Sequence, residues 1–324
     1  MAQAVALYSY QFKRTNRNSP AKLAEKMKDR NMYSFTHTMN SRINRFGASA
    51  RALRSNSPLT DEQIRNVAPS VFADAAHSSR SARYSTIPTS EVLTSLRREG
   101  FQPFAVTQGG SRDEEKRGFT KHMLRLRHES NMAAQVGDSF QEIVLVNSHD
   151  GTSSYQLMAG MFRLVCSNGM VAGTGNGFDE VRIKHQGNVI PAVIDGCIEI
   201  LGRLPAVSGE VENFNRLQLT QGEQNAFAAA ALAVRYDEQT APFEAAKLLT
   251  VHRRDDAAPT LWNTLNTVQE NVIRGGVGYV LRDEQGRRKQ YRRTREVAGI
   301  DQNVKLNRGL WVLAQEMAKL KGAN

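Results

Sequence analysis

Cysteine is nearly absent from this 324-residue chain: Cys166 and Cys197 are the two, and no Cys-x-x-Cys pair occurs. That excludes a disulfide-stapled secreted framework and a cysteine-built zinc module, and makes the cytoplasm of the host cell the expected compartment. Long apolar runs are also missing. No window approaches the roughly eighteen residues a membrane helix needs, so no membrane partner is expected. The opening MAQAVALYSYQFKR lacks the basic-then-apolar order of a secretory leader. Nucleotide loops are missing as well. The glycine-rich GMVAGTGNG at 169–177 has no Lys placed to reach a phosphate, and no acidic residue at dinucleotide-fold spacing.

Nor does the sequence offer a metal set. His122, His128 and His149, with Glu129, Asp138 and Asp150 near them, match no compact ligand spacing. Cys166 sits in the strand-like run FRLVCSNGMV, where no base can be assigned to activate a thiol, so a strand residue is the plainer reading. Cys197 falls on the apolar stripe of a helix and reads as core. No cofactor and no catalytic residue are therefore expected, and the chain does not read as an enzyme.

What is present is positive charge, unevenly spread. Lys and Arg number 43 against 32 Asp and Glu, a net charge of +11. Residues 1–100 hold 16 basic and 7 acidic groups, and residues 251–324 hold 14 and 8, whereas the middle is near neutral or slightly acidic. Two basic ends around a neutral centre favour a polyanionic partner, because the field of such ends raises association rates. With 40% apolar and 23% charged residues the remainder is that of an ordinary globular protein.

Periodicity predicts an α+β fold: a central antiparallel sheet flanked by helices, with a basic, loosely ordered N-terminal arm. Residues 1–58 read as the arm and 59–324 as one domain, with its sheet core at about 101–185 and a helical and basic part at 186–324. The stretches FQPFAVTQ, GFTKHMLRLRH, FQEIVLVNSHD and SSYQLMAGMFRLVCSNGMVAG look extended, and Asp150-Gly151 and Asn168-Gly169 read as turns between strands. Thr60-Asp-Glu-Gln63 and Thr220-Gln-Gly-Glu223 read as capping boxes that open helices. Further helices are expected over EVLTSLRREG, 188–204, PFEAAKLLTVHRR, TLWNTLNTVQENVIRGG and LNRGLWVLAQEMAKLKG. GYVLRDEQGRRKQYRRTREV reads as a hairpin or an ordered basic loop.

The densest basic cluster lies there. Residues 282–295 hold Arg282, Arg287, Arg288, Lys289, Arg292, Arg293 and Arg295 with Tyr291 among them, a surface suited to phosphates and to an unpaired base. A second stripe, Lys121, Arg125 and Arg127, falls on one side of a strand by period-two geometry, opposite His122, Leu124 and Leu126. That stripe is expected to form an open basic sheet face, and His122 a satisfied, partly buried histidine. Arg42, Arg45, Arg51 and Arg54 in the lead-in form a third cluster, an arm able to order on binding.

Several stretches together resemble one family. RSARYSTIPTSEVLTSLRREGFQPF at 80–104, FRLVCSNGMV at 162–171, LAVRYDEQTAPF at 232–243 and LWNTLNTVQENVIRGG at 261–276, continuing to TREVAGIDQNVKLNRGLW, are similar to the phage- and plasmid-borne family labelled a domain of unknown function, number nine-three-two. The resemblance covers roughly residues 70–320 and implies a mobile-element origin. It transfers no catalytic role. By fold-level analogy alone, a helix-backed antiparallel sheet with a basic face is also similar to the Rad52-like single-strand annealing proteins, which implies a homo-oligomer. The expectation is thus a non-enzymatic protein that binds nucleic acid, single-stranded DNA in preference, during replication or recombination. The alternative is a virion-associated or anti-defence protein whose basic clusters contact protein partners.

Overall fold

The computed structural model describes residues 51–79, 87–131, 135–136, 139–163, 168–173, 180–236 and 241–322. All of them belong to one unit, Thr38–Asn324. Residues 1–50, with Arg42 and Arg45, lie outside the described residues, as do Cys166 and residues 174–177 of the glycine run.

The α+β expectation holds. Eight strands form one antiparallel sheet: β1 (Arg51–Arg54), β2 (Phe101–Gln108), β3 (His122–His128), β4 (Gln135–Val136), β5 (Ser139–Asn147), β6 (Tyr155–Arg163), β7 (Asn168–Val171) and β8 (Val181–Ile183). The spatial order is β1-β2-β3-β5-β6-β7, with β4 on β5 and β8 on β6. β1 comes from the stretch expected to be a loose arm. It pairs along its whole length with β2, Arg54 opposite Ala105.

Local signals place most of the helices. Both capping boxes form: Thr60 caps α1 (Asp61–Val67) and Thr220 caps α4 (Gln221–Arg235), each with its third-position partner returning the bond. Between them, α2 (Thr89–Arg98) is followed by Gly100 in the left-handed conformation, φ +85°. The helix expected over 188–204 is longer. α3 (Val189–Arg216) passes through Pro205 because its buried stripe continues beyond it as Val207, Val211 and Phe214, and that packing offsets the missing donor. α5 (Leu261–Ile273) and α6 (Ile300–Leu320) complete the set. PFEAAKLLTVHRR, in contrast, forms only 3-10 turns at Ala245–Leu249 and Arg254–Asp256. Asn168-Gly169 is not a turn but the start of β7, paired with Arg163 and Phe162, whereas Gly151 does lie in the β5–β6 connection. No helix among the described residues is long and apolar enough to cross a membrane.

Both faces of the sheet are covered. On one, Leu124, Leu126, Ile143, Leu145 and Leu157 join the main core with Val193, Cys197, Ile200 and Leu204 of α3. On the other, Met123, Val144, Val146, Met158 and Val171 form a smaller core with Ile300, the first residue of α6. Cys197 is fully buried, and burial pushes its thiol far above its ordinary range, as a core cysteine requires.

Candidate nucleic-acid interface

The Gly pair 275–276, both at positive φ, ends α5 and starts a separate two-stranded hairpin, β9 (Gly278–Arg282) and β10 (Arg288–Arg293). Its root is closed by Thr294, whose amide donates to the Val277 carbonyl at 3.0 Å while its hydroxyl accepts from the Val277 amide at 3.1 Å. Its tip is tied by Asp283. One carboxylate oxygen accepts from the amides of Gln285 and Arg287 at 3.1 and 2.8 Å, and the other from Arg287 Nε at 2.9 Å. Arg282 Nη1 donates to the Gly286 carbonyl at 2.9 Å. The scaffold under the basic cluster is therefore built from its own polar residues.

Register decides which side chains share a face. A bulge between Arg288 and Gln290 leaves Arg288 opposite Arg282, Tyr291 opposite Val280 and Arg293 opposite Gly278. Residues directly opposite project to the same side, so Arg282, Arg288, Tyr291 and Arg293 form one face. The other carries Gln290 and Arg292, opposite Leu281 and Tyr279, with Arg292 Nε held by Gln290 at 3.0 Å. Every residue of β10 is exposed, as are Arg282, Arg287 and Arg295. Among the described residues, no carboxylate pairs with Arg288, Lys289, Arg292 or Arg293.

Arg282 and Arg288 are like charges directly across a ladder, which is unfavourable by about 0.2–1 kcal/mol. Arg288→Glu should therefore raise the urea midpoint slightly while removing a cation from the face. A lowered midpoint would show that the pair is not repulsive.

The second stripe is not an interface. Alternation along β3 is as expected, but the face carrying Arg125 and Arg127 is covered, leaving them 2% and 5% exposed. Both turn to the buried Glu142 of β5. Arg125 Nη1 lies 3.2 Å from Oε2, while Arg127 reaches Oε1 through Nη2 at 3.0 Å and Nε at 3.2 Å. Arg54 of the third cluster stands 3.7 Å from the same carboxylate. Arg127 also lies between the rings of Phe104 and Phe140, 4.3 and 4.4 Å from their centroids. A Cβ at Gly169 would come 2.5 Å from the Arg125 guanidinium carbon, so the absent side chain there makes room for that cation. Burial alone would raise the Glu142 pKa, but the guanidinium groups of Arg54, Arg125 and Arg127 outweigh it and hold the carboxyl below its ordinary value. Lys121 is also engaged, its Nζ 2.6 and 2.7 Å from the two carboxylate oxygens of Asp301.

The histidines form a buried polar chain that sequence reasoning met only in part. Gln108 Nε2 donates to the Arg117 carbonyl at 2.7 Å, and its Oε1 accepts from the Ser70 amide at 3.1 Å and the Ser70 hydroxyl at 3.0 Å. With its proton so committed, the Ser70 oxygen accepts from His122 Nδ1 at 2.9 Å. His122 Nε2 then accepts from the Thr89 hydroxyl at 2.9 Å, and the Thr89 oxygen accepts from Asn147 Nδ2 at 3.0 Å and His149 Nε2 at 3.1 Å. Both imidazoles are neutral in this chain. Desolvation, assisted by neighbouring histidines, lowers the His122 pKa to about 3 and that of His149 to about 4. The expectation that His122 is satisfied is met, and it is fully rather than partly buried. Among the described residues, no three His, Cys, Asp or Glu side chains gather as a metal set.

Similarity to known proteins covers most of the chain. The model of the family described as "Domain of unknown function (DUF932)" matches residues 76–311. Two relatives from Escherichia coli (strain K12), UPF0380 protein YfjQ and UPF0380 protein YafZ, are each 46% identical over 273 residues, 84% of this chain and 96% of the relative. No solved structure matches.

Proposed function

The chain belongs to the DUF932 family, and we propose that it binds nucleic acid through the β9–β10 hairpin, without catalysing a reaction on it, in the replication or recombination of a phage or plasmid. One observation carries the reading. Arg282, Arg287, Arg288, Lys289, Arg292 and Arg293 all stand exposed on one short hairpin, and Asp283 neutralises only Arg287. A polyanion relieves the repulsion among them and releases its own counterions in doing so. Guanidinium forks suit phosphate oxygens better than ammonium groups do, and five of these six cations are arginine.

The test is a mobility-shift titration with DNA at several salt concentrations. Affinity should fall steeply as salt rises from about 50 to about 200 mM. Arg288→Ala with Arg293→Ala should weaken binding and reduce the slope of log affinity against log salt by about 1 for each phosphate contact removed. Absence of binding at about 50 mM salt, or binding indifferent to salt, refutes the proposal. Retention of an acidic protein in place of DNA also refutes it, and favours a protein-interaction role.

A further inference from the structure

The hairpin face that carries Arg282, Arg288 and Arg293 also carries an aromatic ring, and the way that ring is held is specific. Tyr291 is 52% exposed although it is a large, largely apolar side chain. Its ring does not stand away from the strand. It leans diagonally across the ladder onto Gly278, where a Cβ would overlap the hydroxyl and lie 2.8 and 3.1 Å from ring atoms Cζ and Cε2. Any side chain at 278 would displace the ring, so glycine leaves it a resting place on the backbone. Among the described residues, no ring-to-ring contact involves Tyr291; the nearby Tyr279 ring instead meets Phe243, which also meets Tyr236.

The cations are arranged around it. Tyr291 lies one ladder step along from the Arg282–Arg288 pair, and Arg293 one step further. At a rise of about 3.3 Å per strand residue these backbone positions are spaced roughly 7 Å apart on the same face, and the ring, leaning to Gly278, reaches the level of Arg293. An exposed aromatic ring set among guanidinium groups can stack on a base whose face is free while the neighbouring phosphates reach the cations. A duplex offers the same phosphates but keeps its base faces stacked internally, so it engages the arginines alone.

We infer that this face is a base-stacking platform for single-stranded nucleic acid, with Tyr291 beneath an unpaired base and Arg282, Arg288 and Arg293 on the flanking phosphates. The inference rests on the nucleic-acid reading above and adds to it the strand state and the residue that senses it.

The experiment measures fluorescence anisotropy of the full chain with labelled oligo(dT), oligo(rU) and a DNA duplex of equal length. The wild type should prefer a single strand to the duplex, and the dT and rU arms tell whether that strand is DNA or RNA. Tyr291→Leu, which keeps bulk but removes the aromatic face, should weaken single-strand binding roughly 5- to 100-fold. Duplex affinity and the salt slope should stay unchanged. Tyr291→Phe should stay within about twofold of the wild type, because the face and not the hydroxyl does the stacking. Gly278→Ala, which lifts the ring without touching any charge, should shift in the same direction as Tyr291→Leu. Equal single-strand binding by the wild type and Tyr291→Leu, or an equal loss on duplex, overturns the platform and leaves the nucleic-acid reading standing. No binding of any oligonucleotide by the wild type overturns both.

Discussion

Glu142→Gln is expected to cost the protein about 3–5 kcal/mol of stability, the usual effect of removing one partner from a buried ion pair. The carboxylate is completely buried, and Arg125 and Arg127 are nearly so. Taking three charges out of water is expensive, and their mutual attraction offsets that cost only while the geometry is complete. The amide keeps the size of the carboxylate and removes its charge, leaving two guanidinium groups facing a neutral partner. Urea denaturation monitored by circular dichroism measures the change. Lys121→Ala serves as the comparison: its partner Asp301 is 76% exposed, and such a pair contributes about 1 kcal/mol or less. If Glu142→Gln costs no more than Lys121→Ala, the buried cluster is not what holds β3 to β5.

Acidification from pH 7 to pH 5 should destabilise the fold by a comparable amount. In the native protein His122 and His149 have pKa values lowered to about 3 and about 4 by burial. The unfolded chain restores both to near the ordinary 6.5. Across the window below about 6.5 the unfolded state therefore binds protons that the folded state refuses, so stability is full above that value and is lost as pH falls. At pH 5 the difference is about 2 kcal/mol per histidine, or roughly 4 kcal/mol for the pair. The hydrogen-bond chain gives the same direction. A proton on His122 Nε2 would oppose the hydroxyl that Thr89 donates to it, and the commitments running back through Ser70 to Gln108 leave no simple reorientation. Urea midpoints at pH 7, 6 and 5 measure the effect. Substituting both histidines by Gln should lower stability at pH 7 and flatten most of the pH dependence. A wild-type midpoint that does not move between pH 7 and pH 5 would contradict the neutral, buried chain.

These two effects and the hairpin differ in how readable they were. The hairpin's identity is local: turn-forming residues at its tip, a glycine pair at its root and a run of cations between them. The helix starts at Thr60 and Thr220 are local too, since a capping box closes within four residues. Along the Arg125–Arg127 stripe the alternation is the one period two predicts, whereas the exposure is not. Period two reports which side chains share a face, and says nothing about what covers it. What lies on that face is the start of α6 at Met123 and Lys121, the latter met by Asp301 from 180 residues further along the chain, and, over the two arginines, β7 and the rings of Phe104 and Phe140. Asn168-Gly169 shows the same competition. Its turn preference is worth little against pairing with Phe162 and Arg163 in an antiparallel ladder. Pro205 yielded similarly, to the apolar stripe on either side of it.

Short-range chemistry thus settled the α+β class, the capped helix starts at Thr60 and Thr220 and the most exposed basic segment, because capping, periodicity and turn propensity act within a few residues. The tertiary structure alone settled which arginines meet solvent, which share a buried carboxylate, and that Tyr291 rests over Gly278. Those outcomes depend on strand register and on helices arriving from distant sequence, and no local preference encodes either.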